Sequence, residues 1–275
     1  MKKIVVKILS VIVVMAVCMS CGGGGGGSRS ANITMTTEQG GQVSFRLGGS
    51  GIATVDWGDG SERVSLTLNE NGVEFRHTYP NATMRTILIN GDNITQLSSG
   101  GIRLTSLNVS RNTATVLTRL SVSGITSLDL SRKTALTSLS VSDITSLDLS
   151  SNTALTVLDV SGSQLTSLDL NRNTALTSLF VQNTSLTSLD LSRNTALTEL
   201  YVIGNSLLTG LNVGNNMSAL TRVDVSNNQL SISALNALFE SLPSSRGNIR
   251  IGHNPGTSGA NRSIAEAKGW YVFVH

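Results

Sequence analysis

The sequence LTSLDLNRNTALTSLFVQNTS, residues 165–185, decides the fold of this chain because it is one copy of a unit that recurs from about residue 94 to residue 230. Each copy contains two half-units built around the pattern Leu-x-x-Leu-x-Leu/Val. The central leucines of the first half-unit are spaced by 21, 19, 21, 21 and 22 residues: Leu107, Leu128, Leu147, Leu168, Leu189 and Leu211. The second half-unit is centred on Leu120, Leu139, Leu158, Leu179, Leu200 and Val223. A period near 21 residues that persists over six copies predicts a solenoid.

The space between half-units limits what each coil can contain. No helix fits between one Leu-x-Leu segment and the next, so we expect two short strands per coil. This arrangement predicts two parallel sheets that face each other across a leucine core. Each fully buried leucine contributes about 1.5–3 kcal/mol, which explains how a chain with 4% aromatic residues can fold. Asn152, Asn173 and Asn194 occupy matching positions, and we expect them to stack and to bond the turn backbone.

The repeat unit resembles that of a known family. Its pattern is clearest in LTRVDVSNNQL at residues 220–230, which is similar to the motif of leucine-rich repeats. The resemblance covers roughly half of the chain, residues 94–230 of 275. It implies a binding scaffold that displays an extended face, although such repeats serve many partners and do not name the ligand.

Residues 31–91 have a different pattern. Short runs with alternating apolar and polar residues, separated by Gly, Asn and Asp, predict an antiparallel sandwich of about six strands. The segments DWGDGS at 56–61 and FRHTYP at 75–80 resemble the polycystic-kidney-disease (PKD) type of immunoglobulin-like domain. The resemblance implies that Trp57 packs in the core and that the glycines of the first segment permit a tight turn.

Two aspartates and a histidine in these segments are candidate metal ligands. Asp56 and Asp59 lack the further oxygen ligands that calcium requires, so we expect them to cap the turn, with calcium binding as the alternative. We expect His77 to be a strand residue with a structural hydrogen bond. No metal and no cofactor are predicted.

The N-terminal segment resembles a targeting signal. Three lysines within the first seven residues precede a short apolar run at 8–17, which is typical of a secretory signal and too short to span a bilayer. The Ser20-Cys21 step resembles the cleavage site of bacterial lipoproteins, in which the cysteine is lipidated. A plain secreted protein is the alternative. The six glycines that follow predict a flexible tether.

Charge and cysteine content argue against several classes of protein. The net charge of +3 falls to 0 without the lysines at positions 2, 3 and 7, so the body lacks the positive charge that nucleic-acid binding requires. Both cysteines, Cys18 and Cys21, lie in the N-terminal segment. The body therefore contains no disulfide scaffold, no cysteine-ligated zinc and no cysteine nucleophile.

The residues after the repeats predict a cap for the open end of the solenoid. Residues 232–242 are typical of an amphipathic helix, and a strand, a short helix and a final aromatic strand follow. The whole layout is similar to leucine-rich-repeat surface lipoproteins of Bacteroidota, which end in comparable Asn-Pro-Gly (254–256) and Lys-Gly-Trp (268–270) segments. The predicted layout is a lipoprotein signal peptide at 1–20, a Gly-rich tether at 21–30, a PKD-like β sandwich at 31–91, a leucine-rich-repeat solenoid at 92–232 and a small α/β C-terminal cap at 233–275.

No catalytic motif occurs in the sequence. His77, His253 and His275 lie in separate parts of the chain, and HExxH, GxSxG and P-loop motifs are absent. We therefore expect a protein that is not an enzyme. An unrecognised hydrolase is a further class, and it would require Asp, His and Ser to converge in one deep cleft.

Four aspartates share one repeat position and predict a ladder with a spacing of about 4.8 Å: Asp129, Asp148, Asp169 and Asp190. Arg132, Arg172 and Arg193 follow three of them and are candidates to neutralise the ladder, with Lys133 nearby. We favour a solvated structural ladder over a cation site, because the aspartates arise by repetition of the motif.

The outward positions of the second half-unit vary more from coil to coil. Phe180 and Tyr201 are adjacent in the predicted stack and point outward among polar groups. Neighbouring aromatics on a sheet suit a protein loop or a sugar ring, unless the cap or a loop covers them. The candidate ligand-binding residues are Asp159, Phe180, Gln182, Glu199, Tyr201, Arg222 and Asp224.

The sequence therefore predicts a lipid-anchored, monomeric binding or adhesion protein that recognises a protein ligand, such as a host protein, through the solenoid face. A glycan-capture accessory protein of a carbohydrate-utilisation system is the alternative, because PKD-like domains often accompany glycan-handling proteins. The expected location is the outer membrane, facing the cell surface, with the periplasmic face as the alternative.

Overall fold

The computed structural model describes residues 32–111, 117–215 and 217–275. The predicted signal peptide, the tether and Cys21 lie outside the described residues. The described strands are β1 (Ile33–Thr37), β2 (Gly41–Ser50), β3 (Ile52–Asp56), β4 (Val64–Thr67), β5 (Val73–Tyr79), β6 (Arg85–Asn90), β7 (Asn93–Gly101), β8 (Ser106–Asn108), β9 (Arg119–Val122), β10 (Ser138–Val141), β11 (Val157–Asp159), β12 (Ser178–Gln182), β13 (Ser188–Asp190), β14 (Glu199–Ile203), β15 (Gly210–Asn212), β16 (Arg222–Asp224), β17 (Gly247–Arg250) and β18 (Trp270–Phe273). The described helices are α1 (Ile232–Ser241) and α2 (Ser263–Glu266).

One long sheet of eleven strands runs through the molecule in the order β18-β17-β16-β14-β12-β11-β10-β9-β7-β2-β5. The strands of the second half-units pair in parallel and in register, so that Leu139 lies beside Leu120 and Leu158, and Leu179 beside Leu200. These leucines are buried in the core. Strand residues alternate between the two faces of a sheet, and the nearly constant period therefore places every central leucine in one inward row.

The predicted second sheet is only partly present. Within the described residues of the first half-units, β13 and β15 form a two-stranded parallel sheet, and no ladder joins the segments around Leu128, Leu147 and Leu168. An aspartate directly follows the four central leucines from Leu128 to Leu189 and accepts the amide N–H two residues further on, as Asp148 does from Ser150 at 2.9 Å. The same bond occurs in β13, where Asp190 accepts the amide of Ser192 at 2.9 Å, so this bond does not by itself decide which coils form a ladder. Of the two expected parallel sheets, the one of the second half-units is thus present along the solenoid, and within the described residues the other is formed by β13 and β15.

The N-terminal strands are part of the same structure as the solenoid. An antiparallel sheet with the order β4-β3-β6-β1-β8 packs on the β5–β2–β7 end of the long sheet, where Phe45 lies 5.6 Å from Phe75 and 5.5 Å from Trp57 between ring centroids. β7 pairs with β2 on one side and with β9 on the other, and β8 pairs with β1. Both sheets therefore cross the predicted boundary at residues 91 and 92.

The C-terminal residues extend the long sheet by two strands. The helix predicted at 232–242 is α1, which begins after Ser231 and buries Leu235, Leu238 and Phe239. Lys268 donates from Nζ to carbonyl oxygens at the C-terminal end of this helix. β17 and β18 pair in parallel after β16 and form the end of the sheet. No helix within the described residues is long and apolar enough to cross a membrane.

The predicted asparagine ladder is confirmed by its hydrogen bonds. Asn173 Nδ2 donates to the carbonyl oxygens of Leu149 (3.1 Å) and Asn152 (2.9 Å), and Asn194 Nδ2 repeats this pattern one coil later with Leu170 (3.0 Å) and Asn173 (2.9 Å). All three asparagines are buried. The ladder fastens each turn of the first half-unit to the turn of the preceding coil.

Two features of the turns were not predicted. Lys133 occupies the position of Asn152 in the preceding coil and is only 1% exposed, so it does not serve as a surface charge beside the aspartates. Burial lowers the pKa of its ammonium group. A second asparagine ladder fastens the turns of the second half-unit, where Asn205 and Asn228 are both fully buried and joined by a hydrogen bond from Asn205 N to Asn228 Oδ1 at 2.9 Å.

Candidate ligand-binding face

The outward side of the long sheet carries the predicted ligand-binding residues, and we call it the recognition face. It comprises the outward side chains of β9–β12, β14 and β16–β18. Parallel register aligns these side chains in rows across the strands. The central row consists of Ser121, Ser140, Asp159, Phe180, Tyr201, Asp224, Arg250 and Phe273.

Phe180 and Tyr201 lie next to each other at the middle of the central row. Their ring centroids are 5.0 Å apart and their planes differ by 2°. The two residues are neighbours because β12 and β14 pair in a register that places Phe180 opposite Tyr201. Both side chains are half-buried, and each ring covers one face of the other. The pair therefore presents its ring edges and its two outer faces.

Charged pairs lie beside the aromatic stack. Arg222 Nη1 and Glu199 Oε1 form a direct ion pair in the row next to the central one. Arg250 Nη1 lies 3.9 Å from Asp224 Oδ2. Asp224 is only 8% exposed and accepts hydrogen bonds from the amide and hydroxyl of Ser226, so it is less accessible than the sequence suggests.

The two remaining predicted residues have mostly local roles. Asp159 Oδ1 accepts the amide of Ser161 at 3.0 Å, and its Oδ2 lies 3.5 Å from Ser140 Oγ. The Gln182 side chain is half-buried and lies in the row of Ile203. The structure thus places all seven predicted residues on one face and brings Phe180 and Tyr201 into direct contact.

Sequence reasoning missed an extension of this face. In the final aromatic strand of the predicted cap, Trp270 is buried, but Tyr271 and Phe273 are 66% and 46% exposed. Phe273 continues the central row beside Arg250, whose guanidinium carbon lies 5.9 Å from the ring centroid. The sequence signal that could have revealed this extension is the run Trp-Tyr-Val-Phe, because alternate residues of a strand face opposite sides and Tyr271 and Phe273 share the side opposite to Trp270.

The DWGDGS turn is held by its own polar groups. Asp56 Oδ1 accepts the amide of Gly58 at 3.0 Å, and its Oδ2 lies 3.1 Å from Arg63 Nε. Asp59 Oδ1 accepts the amide (3.1 Å) and the hydroxyl (2.6 Å) of Ser61. These bonds agree with the turn-capping interpretation of both aspartates. Among the residues that the structure describes, no group of three or more His, Cys, Asp or Glu is placed to hold a metal ion.

His77 has the structural hydrogen bond that the sequence predicted. Its Nε2 lies 2.7 Å from Asp59 Oδ2, and its ring stacks on Trp57 with 4.8 Å between centroids. The Ser61 hydroxyl, with a further contribution from His77, holds the pKa of Asp59 well below its ordinary value against the opposing effect of burial. The strand that carries His77 is thereby joined to the turn.

The aspartates of the first half-units cap their own turns. The Ser131 hydroxyl and amide lower the pKa of Asp129, and the amide of Ser150 is the main cause of the lowered pKa of Asp148. Their groove has a volume of about 680 Å³. Within the described residues, Arg132, Arg172 and Arg193 form no direct ion pair with this ladder, although the charges of Arg132 and Arg193 lower the pKa of neighbouring aspartates. The expected neutralisation is therefore indirect at two positions.

Comparison with known proteins supports the fold. No protein-family model and no curated protein matches the chain. Among solved structures, the functional domain of InlJ from Listeria monocytogenes is similar at 26% identity and a TM-score of 0.46, over 68% of this chain and 50% of that chain. The internalin InlF from the same species is similar at 19% identity and a TM-score of 0.46, over 66% of this chain and 47% of that chain. The leucine-rich repeat domain of APL1B is similar at 21% identity and a TM-score of 0.50, over 58% of this chain and 48% of that chain.

The chain thus spans about half the length of the solved structures that it resembles. The similarity to the APL1B domain supports the fold alone. Together with the repeat motif and the stacked parallel strands, it defines the class: this chain has a leucine-rich-repeat fold.

Proposed function

We propose that this protein binds a protein partner through the recognition face, without catalysing a reaction. The observation that carries the proposal is the stacked pair of Phe180 and Tyr201 at the centre of an in-register sheet. Aromatic anchors surrounded by charged groups are typical of the residues that dominate protein interfaces. Here the ion pair of Glu199 and Arg222 provides the charged surroundings.

The geometry of the aromatic pair favours a protein over a glycan. A sugar ring packs flat on an open aromatic face, but Phe180 and Tyr201 cover one face of each other at 5.0 Å. The two outer faces lie beside Asp159 and Asp224 in the same row, and the ring edges suit the side chains of a protein loop, since aromatic groups also associate edge to face. We therefore propose a protein partner, and the test includes glycans so that it can detect glycan binding instead.

The test measures binding to a protein array and a glycan array with three forms of the protein. The Phe180→Ala/Tyr201→Ala variant should lose at least tenfold in affinity for the protein ligand that the wild type selects. Leu207→Ala is the matched control, because Leu207 is a 54% exposed apolar residue away from the recognition face, and it should bind as the wild type does. Circular dichroism verifies that each variant is folded.

Two results would overturn the proposal. Unchanged binding of the aromatic variant, or an equal loss in the control, would show that the aromatic pair does not determine binding. Selection of a glycan alone, lost in the aromatic variant, would replace the protein partner by a glycan. If the selected protein belongs to another cell, the cellular role of this binding is adhesion.

We further propose that the protein is a lipid-anchored outer-membrane protein that acts as a monomer at the cell surface. The basic and apolar N-terminal segment and the Ser20-Cys21 step support this location. Labelling with a fatty-acid analogue in a Bacteroidota host should mark the wild type, and Cys21→Ser should abolish the label. A labelled Cys21→Ser protein would exclude this cysteine as the anchor.

We also propose that the N-terminal strands form a PKD-like domain. In support, Tyr79 donates from its hydroxyl to the carbonyl oxygen of Trp57 at 2.8 Å, and both side chains are buried. This bond joins the two motifs that carry the sequence resemblance, together with the contact between His77 and Asp59.

A further inference from the structure

A second polar site lies on the outward side of the long sheet, on the side of the aromatic stack that leads to the N-terminal strands. It is a cleft of about 240 Å³ where β2, β7 and β9 meet the turn that contains Asn71 and Gly72. We call it the arginine cleft. The side chains that the argument uses are Arg46, Gln96, Ser98, Arg119, Ser121 and Ser138.

The arginine cleft carries excess positive charge. Arg119 is exposed and has no ion pair or hydrogen-bonding side-chain partner among the residues that the structure describes. Arg46 lies 3.8 Å from Glu74, whose closer partner is Arg76 at 2.7 Å. The described residues that line the cleft include two arginines, Arg46 and Arg119, and no carboxylate, so the charge of the lining favours an anion.

The walls of the cleft are fixed by the fold. Gln96 Nε2 donates to the carbonyl oxygen of Glu70 at 2.9 Å and so joins the sheet to the turn. Gly48 leaves the room for this side chain, because a Cβ atom there would lie 2.9 Å from Gln96 Cδ. The cleft is thus formed before any ligand arrives, which reduces the entropy lost on binding.

The floor of the cleft offers hydroxyl groups. Ser98 and Ser121 face each other across β7 and β9, and Ser138 follows on β10. None of the three hydroxyls has a hydrogen-bond partner within the described residues. They can donate to the oxygens of an anion that the guanidinium groups attract.

We propose that the arginine cleft binds a carboxylate from an acidic segment of the protein partner. Guanidinium groups match a carboxylate with two parallel hydrogen bonds, which a lysine cannot reproduce. The inference rests on the proposed function, because the cleft includes outward residues of β9 and β10 on the recognition face and one partner can reach both. From β9 to β14 is roughly 19 Å, about six residues of extended chain. The partner would thus present an acidic group about six residues from its apolar anchor.

The test uses a fluorescent hexaglutamate peptide and a hexaglutamine peptide in anisotropy titrations. Hexaglutamate should bind saturably, weaken as salt rises, and lose at least tenfold in affinity in Arg46→Gln/Arg119→Gln. The matched control is Arg172→Gln/Arg193→Gln, which removes the same charge from exposed turns of the first half-units and should leave binding unchanged. Equal weakening by both double variants, or equal binding of hexaglutamine, would overturn the proposal.

Two further measurements are needed. One distinguishes a peptide carboxylate from a glycan carboxylate, and the other distinguishes failure of the arginine cleft from failure of the aromatic site. A hexameric galacturonate that binds tenfold tighter than hexaglutamate, with the same dependence on Arg46 and Arg119, would replace the protein segment by an acidic glycan. Phe180→Ala/Tyr201→Ala should leave hexaglutamate binding intact. A protein ligand lost in the aromatic variant but retained in the arginine variant would overturn the cleft and leave the proposed function standing. The reverse pattern would overturn the aromatic site alone.

Discussion

Replacing Asn173 by alanine tests how strongly the asparagine ladder holds the coils together. The side chain is 1% exposed and donates two hydrogen bonds, to Leu149 O and to Asn152 O. Both carbonyl oxygens also accept a backbone amide, from Asn152 N at 3.0 Å and from Leu155 N at 3.2 Å. Each therefore keeps one partner when the side chain is removed.

This geometry sets the size of the effect. Because no carbonyl oxygen is left without a partner, the loss is that of two ordinary hydrogen bonds, about 1–3 kcal/mol in total, rather than the larger penalty for orphaned buried groups. The buried Oδ1 of Asn173 has no hydrogen-bond partner within the described residues, so its removal costs nothing in bonding. We expect Asn173→Ala to lower the free energy of unfolding by about 1–3 kcal/mol plus the packing lost with the amide.

An aspartate at the same position gives a sharper test. Asn173→Asp keeps the shape of the side chain but turns an oxygen toward the two carbonyl oxygens and buries a charge, which costs several kcal/mol. Burial raises the pKa of the introduced carboxyl in the fold above its unfolded value. The folded state therefore holds the proton more tightly, and stability falls as pH rises through this range. The variant should recover relative to the wild type near pH 4.

Urea unfolding followed by circular dichroism measures both variants. Asn171→Ala is the control, because Asn171 is exposed in the same coil and should change the free energy of unfolding by less than about 0.5 kcal/mol. The reasoning fails if Asn173→Ala unfolds like this control, or if Asn173→Asp is equally destabilised at pH 4 and pH 7.

Three further predictions concern the turn and the aromatic stack. Gly58→Ala should destabilise by about 1–3 kcal/mol more than Gly60→Ala in urea unfolding, because both have positive φ (73° and 83°) but only at Gly58 would a Cβ overlap a backbone oxygen, that of Thr86. Equal losses would contradict this. The pKa of Asp59 is lowered in the fold, so its carboxylate stabilises the fold at pH values above 3.8, the ordinary pKa of this group, and the contribution is lost on acidification. Asp59→Asn should therefore reduce the decrease in unfolding free energy between about pH 5 and pH 2. An unchanged dependence on pH would refute this prediction. A double-mutant cycle on Phe180 and Tyr201 should yield a coupling of about 0.5–1.5 kcal/mol in thermal unfolding, and zero coupling would show that the rings do not stabilise each other.

Features that depend on a fixed period could be predicted from the sequence. The spacing of the leucines placed Phe180 beside Tyr201, and the recurring Asn173 and Asn194 predicted a ladder, because a regular coil converts sequence spacing into spatial rows. The sequence did not predict that the two rings stack on each other. Since each ring supports the other, removal of either should cost more stability than an isolated exposed aromatic would.

Features that depend on long-range pairing could not be predicted. Arg46 and Arg119 share a cleft only because β2 pairs with β7 and β7 with β9, and no periodicity connects these positions. Lys133 reads as a surface charge, yet the coil geometry places it where the next coil has a buried asparagine.

The sheets that cross from the N-terminal strands into the solenoid join the two parts by backbone hydrogen bonds, and we expect the two parts to unfold together. A fragment cut at residue 91 would expose an unpaired edge on β2 and another on β1, and such edges recruit other chains. A substitution that loosens the packing of Phe45 should therefore speed the exchange of the amide protons of β7 and β9 with solvent, although that ring lies in the other part of the molecule. An isolated repeat array must cover its first coil with a separate cap. In this chain the N-terminal strands cover the first coil through backbone hydrogen bonds between strands. Loss of these bonds would loosen the first coils before the last.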